Sequence, residues 1–414
     1  MASDPAAPGR RAGPLRLLVL RPTMGEGGAD RVTLTLLERL DRARFAPTLA
    51  LMRAEGPWLG AVPPDVPVRD LGGGRLFTAW RPLARLLRRE PPDVLLSTSG
   101  GANLAAALAH RAAGSRARLV LSERSSLERA DRPAWKGAAL LAGKRLLYRR
   151  ADVVTAVSEG LRRELIVRLG LPPERVARVD NPLLGPELPA LAAEPVEHSW
   201  FADGGPVVLA AGRLVEAKDF ATLLAALARL RRSHPARLVI LGDGPLRERL
   251  ARRAAELGVA DAVDLAGFDP NPFRFMARCT AFVLSSRWEG MPGALIQAMA
   301  CGAPAVATDC PTGPRELIAD GESGLLVPVG DPEALAAALG RLLDDPGLRS
   351  TLAERGRAAV ERFTVERAVA TYAAVLEGAR STDTEAVRPR SSAPVGPRGS
   401  SGDSGLRTPW EGDG

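Results

Sequence analysis

The chain has 414 residues, 46% of them hydrophobic, 25% charged and only 4% aromatic. That composition is globular, too long for one ordinary core, and leaves Leu, Val and Ala to fill two of them. A net charge of +8 would suit nucleic acid, yet only Lys136, Lys144 and Lys218 are lysines among the 56 basic residues and no aromatic-rich surface accompanies the charge, so a nucleic-acid binder is disfavoured.

From the N-terminus, residues 1–13 are mostly Ala, Pro, Gly and Arg and are expected to be disordered, as is the apolar-poor tail at 379–414. LRLLVL (15–20) is too short for a signal-peptide core and reads as a first strand, which makes the cytoplasm the expected location. ADRVTLTLLERLDR follows, with Val32, Leu36, Leu37 and Leu40 on one helical face. PTLALM, DVLLSTS (93–99), ARLVLS (117–122) and DVVTAVS (152–158) then each precede a helical or loop stretch. This alternation predicts a parallel sheet covered on both faces, a first domain over 14–190.

The rhythm breaks in the Pro- and Gly-rich segment near 181–205, whose later part, 191–205, reads as an interdomain linker. It restarts with PVVLAAG (206–212), RLVILGDG (237–244), AVDLAGF (262–268), AFVLSSR (281–287), PAVATD (304–309) and GLLVP (324–328), a second domain over 206–362, followed by a last helix at 363–378. The fold class is therefore α/β: two doubly wound, Rossmann-like domains facing across a cleft, with ligand at the C-terminal ends of the strands.

Familiar cofactor motifs fail on inspection. After Gly25 and Gly27 the dinucleotide fingerprint needs a glycine where Asp30 stands, and after Gly242 and Gly244 it needs one where Arg247 stands. Gly143-Lys144 lacks the rest of a P-loop. Three histidines and three scattered cysteines (Cys279, Cys301, Cys310) give no metal-ligand spacing. A nicotinamide enzyme, an NTPase and a zinc enzyme are all disfavoured, and no metal or other cofactor is expected.

The strand ends of the second half are more informative. AAGRLVEAKDF puts Arg213 just past a strand and Lys218 at a helix start. A guanidinium fork beside a compact ammonium suits the two phosphates of a diphosphate. In SSRWEGMPGALIQAMA, Gly290 and Gly293 let the backbone approach a ligand, and the amides of a helix beginning near Gly293 attract negative charge. Glu289 lies before that helix, either as a helix cap or as an acceptor of hydrogen bonds from sugar hydroxyls. Gln297, on an otherwise apolar helix, could bond a vicinal pair of hydroxyls.

GGADRV, ADVVTAVSEGLRREL, GRLVEAKDF, ILGDGPLRERL, SSRWEGMPGALIQAMACGAPAVATD and PTGPRELIADGESGLLVPVGDPEALAAAL, in that order, resemble a retaining glycosyltransferase of family four, with the GT-B fold, over residues 15–378. TDCPTGPREL is similar to the subgroup acting in bacterial capsule, O-antigen and lipid-linked glycan assembly. The resemblance implies transfer of a hexose from a UDP- or GDP-sugar to a hydroxyl of a glycan or lipid-linked acceptor, with retention and without a divalent metal. It implies that Arg213 and Lys218 hold the donor diphosphate, that Glu289 contacts the hexose, and that amides around Gly290, Met291 and Gly293 lie near sugar and phosphates. Gly27 and Gly28 match the first-domain loop near donor phosphates and acceptor. Gln297 stands where the family usually has a glutamate on the ribose. Ser122-Glu123-Arg124 stand where many relatives have a histidine, which makes Glu123 the candidate acceptor-orienting residue, against a structural ion pair with Arg124 or a neighbour.

Residues 124–150 hold eight basic and two acidic side chains with interleaved apolar ones. They read either as a helix covering the sheet or as peripheral attachment to an anionic membrane. Two rival functions stay open: a non-catalytic sugar-nucleotide-binding partner subunit, and a nucleotide-sugar epimerase of the same fold.

Overall fold

The computed structural model describes residues 13–25, 27–73, 78–127 and 134–378. The expectations of disorder at 1–13 and 379–414 lie outside the described residues, apart from Gly13. Two parallel sheets organise the rest. The first has seven strands in the order β3-β2-β1-β4-β5-β6-β7: β1 (Leu15–Arg21), β2 (Phe45–Leu51), β3 (Val68–Asp70), β4 (Val94–Ser97), β5 (Arg118–Glu123), β6 (Val153–Ala156) and β7 (Val176–Arg178). The second has six in the order β10-β9-β8-β11-β12-β13: β8 (Val207–Ala211), β9 (Arg237–Leu241), β10 (Val263–Gly267), β11 (Ala281–Leu284), β12 (Ala305–Thr308) and β13 (Leu325–Val327).

Central strands such as β4, β6, β11 and β12 are buried along their whole length, which is why they read as unbroken apolar runs. In each sheet the chain order reverses beside the first strand, between β1 and β4 and between β8 and β11. Such a reversal leaves a crevice beyond the strand ends, where doubly wound folds bind ligands.

The sequence reading passes over β3 and β7. Each has three residues and lies at a sheet edge, and β3 buries none of them, so neither carries an apolar run. The segment expected to be a plain linker holds two short helices, Leu188–Ala193 and Ser199–Ala202. Asn271 Nδ2 anchors the first by donating to Leu191 O at 2.9 Å.

The two halves meet through the chain's end and through their loops. Helix Val365–Glu377 buries Tyr372, Val375 and Leu376 in the core under the first sheet, and Glu377 pairs with Arg44 at 2.6 Å. Glu316, of the second half, accepts from the amides of Glu159 and Gly160, both at 2.8 Å. Those amides open helix Glu159–Leu169 of the first half, where a carboxylate is well placed against the helix dipole.

Candidate active site

A cleft of about 700 Å³ runs between the two sets of strand ends. On the second-domain side, Gly212 and Gly242 have φ of +155° and +125°, and a Cβ on Gly242 would lie 2.2 Å from Gly212 O. Only glycine permits that approach. Arg213 follows β8, is exposed to the cleft and makes no ion pair among the described residues.

Lys218 is aimed by its neighbours. Asp219, at φ +45°, is the one non-glycine residue with positive φ among the described residues, and it turns the chain into helix Phe220–Leu230. Its buried carboxylate takes Arg287 Nε and Thr222 Oγ1, each at 2.9 Å. Arg287 N donates to Ala217 O at 2.8 Å and Ser285 Oγ to Lys218 O at 2.7 Å. These bonds fix the lysine backbone to the end of β11. Lys218 Nζ then meets Glu289 Oε1 at 2.5 Å, and Ser286 Oγ donates to the same oxygen at 2.6 Å. Beyond Glu289, helix Gly293–Ala300 buries Leu295, Ile296, Ala298 and Met299, while Met291, Gly293, Ala294 and Gln297 line the cleft.

The structure therefore brings together Gly27, Gly28, Arg213, Lys218, Glu289, Met291, Gly293 and Gln297, all on the cleft surface. Gly290 has a different position: a Cβ there would lie 2.1 Å from Arg124 O, so this glycine allows the two domains' backbones to touch. Glu289 O on the same turn accepts from Ser126 N, across the domains, at 3.4 Å.

Glu123 needs correcting. It is 1% exposed and does not line the cleft. Its Oε2 takes Lys144 Nζ at 2.6 Å and Tyr148 OH at 2.7 Å, and Asn103 Nδ2 donates to the same phenol oxygen at 3.0 Å. Burial, then the neighbouring carboxylate, push the Tyr148 phenol well above its usual value, so it stays a donor. Glu123 is an interior ion-paired carboxylate, with Lys144 rather than Arg124 as partner, and has no acceptor-orienting position.

Sequence reasoning missed residues on the first-domain wall. Arg124, next to Glu123, lines the cleft beside Asn181, and its Nη2 donates to Asn181 Oδ1. Nothing in a Ser-Glu-Arg run says which member faces in. Asp30 also lines the cleft; its Oδ2 takes Gly27 N at 3.2 Å, and behind it the buried Arg21, at the end of β1, donates to Asp30 and to Thr98 O, the latter at 3.0 Å. At the far end of the cleft, Trp58 meets Phe268 edge to face at 6.3 Å across the domains. Arg31 stands over Trp58 and Phe273 at 6.0 and 5.5 Å. No group of three or more His, Cys, Asp or Glu is placed to hold a metal among the described residues.

Residues 197–359 match the family model described as glycosyl transferases group 1, and residues 26–183 match glycosyltransferase family 4. A Campylobacter jejuni N-acetylgalactosaminyltransferase, named for action on a diphospho-undecaprenol acceptor, is 33% identical over 218 residues, 53% of this chain and 58% of that protein. The Rhizobium meliloti lipopolysaccharide core glycosyltransferase LpsE is 39% identical over 172 residues, 41% of this chain and 49% of that one. The matched region thus spans about half the length of these curated relatives. Anabaena HepE, crystallised with UDP and glucose, superposes with a TM-score of 0.75 at 22% identity, over 88% of this chain and 99% of that one; at that identity it shows the fold alone. With a family model on each half, the chain belongs to the GT-B glycosyltransferases of the family-four kind.

Proposed function

We propose that the protein is a metal-independent, retaining hexosyltransferase that uses a UDP- or GDP-sugar and glycosylates a hydroxyl of a glycan or lipid-linked acceptor. One observation carries this reading. Lys218, Arg213 and the N-terminus of helix Gly293–Ala300 converge at the β8/β11 reversal, with Glu289 held beside them. That is a positive pocket for a diphosphate next to a carboxylate for sugar hydroxyls. Phe268 lies at the end of β10, two strands from β8, roughly 10 Å at ordinary strand spacing. A base stacked near Phe268 and Trp58 would therefore leave its phosphates at Arg213 and Lys218.

In the reaction, the bond from the anomeric carbon to the β-phosphate oxygen breaks while the acceptor oxygen bonds to that carbon on the same face. The acceptor proton passes to the departing phosphate. Lys218, Arg213 and the helix amides stabilise the charge that develops there. Glu289 orients the hexose, and Gln297 accepts from the ribose. The interdomain contact at Gly290 supports closure, which excludes water. The names of the Campylobacter jejuni and Rhizobium meliloti relatives support a glycan or lipid-linked acceptor. The test is release of nucleoside diphosphate from a panel of UDP- and GDP-hexoses with added acceptors in EDTA, followed by NMR of the product's anomeric centre. Loss of turnover in EDTA contradicts metal independence, and an inverted centre contradicts retention.

Gln297 in place of glutamate favours a second reading, a partner subunit that binds sugar nucleotide without turnover. An epimerase would convert its donor with no acceptor present. Peripheral, cytoplasmic-face attachment belongs to the main reading. Helix Ala134–Tyr148 exposes Trp135 (70%) and Leu146 (66%), and the adjoining helix exposes Val167 (79%). Lys136, Arg145 and Arg149 are exposed among them, a mixture suited to anionic lipid. Residues 128–133 of that stretch lie outside the described residues. Flotation with phosphatidylglycerol vesicles but not phosphatidylcholine vesicles is expected; equal recovery with both contradicts it.

A further inference from the structure

Thr312 and Glu316, in the loop after β12, join the first domain to the turn that carries Glu289. The carboxylate of Glu316 takes the amides of Glu159 and Gly160, each at 2.8 Å, and Arg178 Nη1 stands 3.8 Å from its Oε2. A carboxylate bound by the opening amides of a helix, with a guanidinium behind it, is held firmly. Gly160 makes room for this seat: a Cβ there would lie 3.1 Å from Thr312 Cγ2 and 3.2 Å from Glu316 Oε1. Thr312 therefore rests on the same helix start that Glu316 grips.

From there the contact passes to the site. Thr312 is buried, and its Oγ1 donates to Glu289 O at 2.5 Å. The same carbonyl also takes Ser126 N of the first domain at 3.4 Å. Gly313, at φ +98°, lets the loop close on the Glu289 turn, since a Cβ there would lie 2.7 Å from Pro292 Cδ. At the end of β12, Thr308 Oγ1 donates to Ser286 O at 2.5 Å, and Ser286 Oγ donates in turn to Glu289 Oε1. The backbone and the carboxylate of Glu289 are thus both set by the segment from Thr308 to Glu316, and the first domain seats that segment.

We propose that Thr312 and Glu316 are positioning residues: docking of Glu316 on helix Glu159–Leu169 holds Thr312 against Glu289 O, so that Glu289 is aimed at the hexose only while the two domains are engaged. Neither residue lines the cleft, so both act through Glu289. Arg213 and Lys218 keep their grip on a diphosphate without them. The pair therefore governs turnover and leaves the affinity for the nucleotide alone. This rests on the transferase reading above, in which Glu289 orients the hexose.

The experiment compares the full wild-type chain with Thr312→Val, Thr312→Ser, Glu316→Gln and the double variant Thr312→Val/Glu316→Gln. Calorimetry gives the Kd for UDP or GDP. Release of that nucleotide from the best hexose donor of the panel, with added acceptor or water alone, gives kcat. Thr312→Val keeps the shape and loses the hydroxyl; it is expected to lower kcat about tenfold, the scale of one hydrogen bond, with the nucleotide Kd within about twofold. Thr312→Ser keeps the hydroxyl, guards against a folding defect, and is expected to stay within about threefold of the wild-type kcat. Glu316→Gln is expected to lose about tenfold or more, and the double variant no more than about twofold beyond the worse single one, because both residues lie on one route. Unchanged kcat in either single variant, losses that multiply in the double variant, or a Thr312→Ser as impaired as Thr312→Val overturns the proposal. A nucleotide Kd that weakens in step with kcat also overturns it, by assigning the pair to the donor. A wild type that binds no nucleotide, or binds one without turnover, is a separate result: it overturns the transferase reading, and the proposal with it.

Discussion

Lys218 and Lys144 show how far residue identity alone can lead. Both are rare lysines in an arginine-rich chain, and both end on a glutamate, Glu289 at 2.5 Å and Glu123 at 2.6 Å. Lys218 stands at a strand end beside glycines, which marks a cleft from sequence. Lys144 comes from a helix 21 residues beyond its partner, and only the packed fold reveals that pair as interior. Arg213, Glu289 and Gln297 were legible because each lies just past a strand or in the first turns of a helix. Arg124, Trp58 and Phe268 were not, because their meaning depends on the opposite domain. Lys218→Ala is expected to reduce turnover about a hundredfold to a thousandfold, the usual loss for one donor to developing charge. Steady-state kinetics with the best donor will show it, and near-normal turnover would sink the diphosphate assignment.

At the scale of elements, alternation of apolar runs with helical faces placed eleven of the thirteen strands. It missed β3 and β7, whose three residues at sheet edges leave no pattern to read. It also missed the helices Leu188–Ala193 and Ser199–Ala202, too short for periodicity among prolines. The Glu123–Lys144–Tyr148–Asn103 network ties β5 to helices Gly100–Ala113 and Ala134–Tyr148. Glu123→Gln leaves a buried ammonium without its counter-charge, and breaking such a pair typically costs about 3–5 kcal/mol. A clear fall in Tm is expected by calorimetry. Adding Lys144→Met should restore much of it, since an apolar replacement for the pair removes the uncompensated charge. An unchanged Tm in the single variant contradicts the interior role.

At the scale of the molecule, the last helix and the cleft-side loops make the two sheets interdependent. Tyr372, Val375 and Leu376 complete the first domain's core from the end of the chain, so truncation after Phe363 should expose that core and yield aggregated or protease-sensitive protein. A truncated chain with native Tm contradicts this. Gly290→Ala probes closure instead. Its new Cβ would fall 2.1 Å from Arg124 O, so the domains must part locally. Turnover should fall with little loss of Tm, because no core contact is removed; unaltered kinetics would show that this contact is dispensable.

The proposed diphosphate grip of Lys218 and its neighbours is tested by a thermal-shift panel of UDP-, GDP-, ADP- and dTDP-sugars without added metal. A ligand at about a hundredfold above its Kd stabilises by roughly 2.7 kcal/mol, which is readily seen as a higher Tm. A shift is expected for one nucleotide class in the wild type, with its loss in Lys218→Ala. No shift with any donor, or an equal shift in both proteins, would contradict it.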